Sequence, residues 1–141
     1  MILKQTAAAV VVGSALWALP AMAEDFDGGK EFTCALVDLN SCAADGDCQR
    51  ETPESAGVPR FLFVDVKHSE ISGHREGGQS LATKIERVKK LGDLLVLEGA
   101  EGKLSWTVTV DRTTGSMSLG AVGADLGFVM FGSCTLGASA Q

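Results

Sequence analysis

The sequence predicts an all-β protein: a small antiparallel up-and-down barrel, or a sandwich, of seven to eight short strands. Three observations carry that prediction. In the stretch from Leu104 to Leu119, Leu104, Trp106, Val108 and Val110 alternate with Ser105, Thr107 and Thr109, a period of two that gives a strand one buried and one wetter face. Asp111-Arg112-Thr113-Thr114-Gly115 then supplies turn chemistry, and Met117 and Leu119 alternate with Ser116 and Ser118 to complete a β-hairpin. Similar runs recur along the chain between Gly-rich turns, and its 17 glycines suit the turns and sharp bends of a small barrel.

The chain opens on a segment expected to lie outside the fold. Met1 to Lys4 is a short positive start, Thr6 to Leu19 is an uncharged apolar run, and Pro20-Ala21-Met22-Ala23 ends in the small-x-small pattern that signal peptidase accepts. Residues 1–23 therefore read as a secretory signal peptide cut after Ala23, leaving 24–141 as a single secreted β domain in a periplasm or the exterior. The apolar run is short for a hydrocarbon core of about 30 Å, and no later segment is long and apolar enough for a membrane span. The formal charge of −6 becomes −7 without Lys4. The densest basic stretch, Arg87, Lys89 and Lys90, is flanked by Glu86 and Asp93. Such a chain repels nucleic acid and anionic lipid, so neither is an expected partner.

Taken in order, Glu24 to Lys30 is acidic and Gly-containing and reads as a loose lead-in. Glu31 to Val37 alternates Phe32, Cys34 and Leu36 with Thr33, Ala35 and Val37, giving the first strand. Asp38 to Gly57 is polar and turn-rich, a loop. Pro59 to Val66 is apolar on both faces, as in a strand inside a closed or double-layered sheet, and could run on through His68 and Glu70 to Ile71. Ser72-Gly73 and Gly77-Gly78 mark the next turn region.

Residues 80–91 admit two readings. Leu81, Ile85 and Val88 sit at helical spacing, with Ser80 as a cap and Gly92 as a stop, so one helix near 80–91 is the alternative. As a strand, Leu81, Thr83 and Ile85 face one way, and Lys89 to Asp93 turns into Leu94-Leu95-Val96-Leu97-Glu98; the strand-like neighbours favour this reading. Glu98 to Gly102 turns into the central hairpin, Phe128 to Cys134 is the last strand, and Ala138 to Gln141 is expected to fray.

The four cysteines are Cys34, Cys42, Cys48 and Cys134. In an oxidising compartment an even count implies disulfides, with three possible pairings. Cys42-Ala-Ala-Asp-Gly-Asp-Cys48 carries an Asp-Gly turn that makes a local bridge easy, while Cys34 and Cys134 lie in the first and last strands. Cys42–Cys48 with Cys34–Cys134 is therefore the expected pairing, and the long link ties the seam that a meander barrel must close. The spacings lack the closely paired cysteine knuckles of a zinc site.

With the hairpin and cysteines placed, two resemblances follow. The pattern Trp106-x-Val-x-Val110-Asp111-x-x-Thr114-Gly115-x-Met117, followed by Phe131-Gly132-x-Cys134, resembles small exported bacterial proteins of unassigned function. That likeness implies an envelope protein with a disulfide-tied β fold, and it implies no activity. Ser72-Gly73-His74-Arg75 is similar to the Ser-Gly-x-(Lys/Arg)-aromatic loop that periplasmic lysozyme inhibitors insert into the lysozyme cleft, although Glu76 stands where the aromatic would be.

Motifs for chemistry are sparse. No Gly-x-Ser-x-Gly elbow, His-Glu-x-x-His, Cys-x-x-Cys or phosphate-binding Gly loop occurs. His68, Glu70 and His74 could meet at a metal but lack a third well-spaced partner, and Asp38, Asn40, Asp45 and Asp47 cluster near the short disulfide without the regular alternation of a calcium loop. No catalytic, cofactor-binding or metal residues are expected. The expected function is a non-enzymatic secreted envelope protein, a β-barrel binding module whose partner is a small apolar ligand or an envelope protein. Phe61, Phe63, Trp106, Phe128 and Met130 are the candidate cavity liners, or else the side chains that fill the core. The alternative is a lysozyme-type protein inhibitor acting through the 68–78 loop, with Ser72, Gly73, His74 and Arg75 at its tip.

Overall fold

In the computed structural model, which describes residues 25–137, the chain forms ten antiparallel strands and no helix. The signal peptide expected over 1–23 and the frayed end expected over 138–141 lie outside those residues. The strands are β1 (Phe32–Ala43), β2 (Cys48–Glu51), β3 (Phe61–Asp65), β4 (Glu70–His74), β5 (Ser80–Lys84), β6 (Arg87–Leu91), β7 (Leu94–Glu101), β8 (Leu104–Asp111), β9 (Ser116–Val122) and β10 (Leu126–Leu136). They form one curled, barrel-like sheet in the order β5-β4-β3-β1-β10-β9-β8-β7-β6, with β2 paired to the second half of β1.

The sheet curls shut in two different ways. First and last strands pair directly, from Phe32 opposite Leu136 to Ala43 opposite Leu126. Within that ladder Cys34 faces Cys134, and the two are joined by a disulfide. Cys42 and Cys48 face each other across the β1–β2 hairpin and form the second bridge. At the opposite side, β5 and β6 are not laddered to each other. They are one run of chain joined by Ile85-Glu86, where the Ile85 amide donates to the Ser69 carbonyl and the Glu86 amide to the Glu98 carbonyl, both at 2.8 Å. The chain thus leaves β4 and joins β7 in mid-stride.

Several expectations change in detail. Residues 80–91 are strand, not helix, and Leu81, Thr83 and Ile85 do point inward. The first strand continues past Val37 to Ala43, because a bulge between Leu36 and Asp38 shifts the register and lets Leu39 return to the interior. Gly132 makes room for it: a Cβ there would collide with the Ala35 carbonyl oxygen. The run from Pro59 does not continue to Ile71, since the chain turns over 66–69 with Ser69 at φ 57°. The loop expected over 38–57 contains β2, whose pairing leans on the Cys42–Cys48 bridge.

The larger correction concerns the N-terminal lead-in. Phe26 is fully buried. Its ring stacks edge-on against Phe32 with centroids 5.6 Å apart, and its amide donates to the Arg112 carbonyl at 3.1 Å. Arg112 returns an ion pair to Asp25, and Lys90 reaches Asp27. The phenylalanine plugs one end of the barrel beneath Gly115, whose φ of 74° suits a turn glycine and whose missing side chain leaves the space that the ring occupies. A single apolar residue among charges and glycines has no period, so no pattern marks it as buried.

Two stability predictions follow from these contacts. Replacing Phe26 with alanine empties a filled end and should cost about 3–5 kcal/mol in urea denaturation. The 100-residue separation of Cys34 and Cys134, against 6 for Cys42 and Cys48, ranks the bridges. The paired alanine variant of the long bridge should lose about 4–5 kcal/mol and that of the short one about 2, read from the same denaturation curves.

Candidate functional site

The end of the barrel away from Phe26 is not filled. Along β8, Val110 lies at the plugged end and Trp106 at the other, and beside Trp106 the interior holds a pocket of about 210 Å³. Its wall is apolar: Leu62 of β3, Ile71 of β4, Leu81 of β5, Val108 of β8 and Leu119 of β9, together with Val58 and Pro59 ahead of β3. Only two charged residues line it, Arg75 just after β4 and Glu101 at the end of β7.

Trp106 also holds the wall where no ladder does. Its indole Nε1 donates to Thr83 Oγ1 at 3.2 Å, and that hydroxyl donates to the Ala100 carbonyl at 3.3 Å, linking β8, β5 and β7. Gly99 permits this arrangement. A Cβ at that position would strike the indole and lie 2.5 Å from the Lys84 carbonyl oxygen. The indole is thus held in the gap between β5 and β7 and also lines the pocket.

Of the cavity liners expected from sequence, only Trp106 lines this pocket. Met130 is core, and Phe128 packs against the core. Phe61 is 51% exposed, and Phe63 shares its outward parity and meets His74 edge-on. The reason is the pleat: in β3 it is Leu62 and Val64 that point inward, and an all-apolar run does not say which parity is buried. Leu62, Ile71, Leu81 and Leu119 were the liners that sequence reasoning missed. Alternation was the signal available for two of them, Leu119 in step with Met117 and Leu81 in step with Thr83 and Ile85.

The four residues singled out for an inhibitor loop do not form one. Ser72, Gly73 and His74 belong to β4; Ser72 and Gly73 are paired on both sides, with β3 and with β5, and His74 with Ser80 of β5 alone. Arg75 begins the turn, but its Nε donates to the Gly57 carbonyl at 2.6 Å and its Nη1 to Gln79 Oε1 at 3.4 Å. Ser72 and Gly73 therefore have no free backbone to offer a cleft, and the exposed turn of the 68–78 run is 75–79.

His68 does not meet Glu70 and His74. It sits in the β3–β4 turn, where its Nδ1 lies 2.6 Å from Asp65 Oδ2 and its backbone amide donates to Asp65 Oδ1 at 3.0 Å. Glu31 completes a group of three ligand-type side chains within 4.8 Å of one another, the one such group among the described residues. The hydrogen bond to Asp65, and the charge behind it, raises the His68 pKa above the ordinary histidine value. The same ring hydrogen bond, with that from the backbone, lowers the Asp65 pKa. Of the acidic residues near the short disulfide, Asp38 pairs with Arg50 and Asp45 accepts from the Asp47 amide at 3.1 Å, so these carboxylates serve local structure. Compared with protein-family models and with curated proteins, the chain matches none.

Two measurements check this geometry. Gly99→Ala should destabilise by roughly 1–3 kcal/mol, since the wall would have to shift around the indole. In a chain cut after Ala23, Trp106 is the only tryptophan, so its emission should shift as well. His68 should titrate above about 6.5 by proton NMR, and Asp65→Asn should bring it back toward that value. By linkage, the His68 contribution to stability is complete below about 6.5 and is lost as pH rises through the raised value, while the Asp65 contribution is lost as pH falls below about 3.9.

Proposed function

We propose that this protein is a non-enzymatic, exported binding module that takes a small apolar ligand into the open end of its barrel. The observation that carries the reading is the pocket beside Trp106, with its aliphatic and aromatic wall and two charged residues. Such pockets gain most of their affinity from desolvating apolar surface, with a few polar groups fixing orientation. The volume sets the scale: a cavity of roughly 150 Å³ holds benzene, whereas drug-sized ligands need about 300 Å³ or more. At about 210 Å³, this one suits a single ring or a short branched chain.

Export supports the same reading from another direction. The leader expected over 1–23 and two disulfides with no free cysteine both fit an oxidising compartment outside the cytoplasm, most simply a bacterial periplasm. No helix among the described residues is long and apolar enough to cross a membrane. The likeness of Phe131-Gly132-x-Cys134 to small exported bacterial proteins agrees with an envelope role.

Titration with toluene, followed through methyl resonances, tests the proposal. The methyl groups of Leu62, Ile71, Leu81, Val108 and Leu119 should shift together and saturate. Absent or scattered shifts would remove the pocket as a ligand site.

A further inference from the structure

Building on the pocket reading, we infer that the ligand is a free α-amino acid with an apolar side chain, its carboxylate held by Arg75 and its ammonium group by Glu101. Both residues line the same 210 Å³ pocket, and no ion pair joins either of them to any other group among the described residues. That sets them apart from Arg50, Arg60, Arg87 and Arg112, each of which meets a carboxylate.

The arginine is also held ready. Gly57 and Gln79 accept from Nε and Nη1, which fixes the plane of the guanidinium and leaves Nη2 to donate to an incoming carboxylate. Glu101 closes β7 opposite Leu104, at the tight turn through Gly102, so its backbone is fixed too. The rest of the pocket wall is mainly apolar. A molecule that is apolar at one end and carries both charges at the other satisfies all three surfaces together.

Net charge separates this class from its neighbours. A chain of formal charge −6 repels a fatty acid or other monoanion, and a simple amine would leave Arg75 without a carboxylate partner. A zwitterion carries no net charge against that field, yet it can use both rim residues.

Binding of phenylalanine and leucine to the chain cut after Ala23, read by calorimetry and by Trp106 emission, tests the inference against N-acetyl-phenylalanine, phenylalaninamide and toluene. Each blocked derivative should bind roughly three- to tenfold more weakly than phenylalanine, the scale of one solvent-exposed charge contact. Arg75→Gln should weaken phenylalanine and phenylalaninamide unequally, with the larger loss for phenylalanine. Glu101→Gln should likewise cost phenylalanine more than N-acetyl-phenylalanine, and neither substitution should change toluene. If toluene and the blocked derivatives bind as well as phenylalanine, or neither substitution matters, the amino-acid inference falls and the apolar pocket stands. If no compound binds, both fall.

Discussion

Cys34 and Cys134 face each other in an antiparallel ladder between strands 100 residues apart in sequence, and the barrel has an interior because that ladder closes. Bringing such distant segments together costs loop-closure entropy, which the covalent link removes from the unfolded chain. The pairing does more than join two edges. It sets Phe32 opposite Leu136 and Leu39 opposite Met130 along one wall, and it brings the Gly115 carbonyl to the Cys134 amide at 2.8 Å. That last contact builds the roof of the space that Phe26 fills. Gly132, at the bulge, is the residue whose absent side chain lets the two backbones approach.

The other closure uses different physics. Between β5 and β7 the backbone groups do not form a ladder, and the wall is completed by a continuous chain, one threonine hydroxyl and an indole. Thr83 both donates and accepts there, so its hydroxyl, the indole N–H and the Ala100 carbonyl each have a partner. The same residue lines the pocket. Architecture and recognition therefore share one residue, and the ring that seals the wall is also the largest apolar surface on offer to a ligand. Having one end plugged by Phe26 gives the pocket a floor of packed core rather than a channel.

How far the site could be read from sequence depended on the kind of signal each residue carried. Trp106 stood out as the one aromatic ring on the apolar side of a clean alternation. Phe61 and Phe63 stood out by size, yet a strand flanked by apolar residues at every position hides its parity, and the pleat turned them outward. Ser72-Gly73-His74-Arg75 looked like a projecting loop because Ser, Gly and His are turn-tolerant. Ladder pairing made the first three strand, Ser72 and Gly73 on both edges and His74 on one, and the Gly57 carbonyl then fixed the fourth. His68 was placed on a strand face with Glu70, whereas the turn delivered it to Asp65, three residues back.

Alternation, turn chemistry and an even set of cysteines were enough to determine that this chain is all-β, that its first and last strands meet, and which sulfurs bond. Those are local or pairwise properties, written in periods of two and in residues that tolerate a turn. Tertiary structure alone decided that Phe26 folds in as a plug, that the run from Ser80 to Leu91 changes partner halfway, and that Arg75 and Glu101 face one apolar hollow. Each of these depends on where distant segments come to rest in the closed sheet, and no periodicity along the chain encodes a meeting between residues that lie on separate strands.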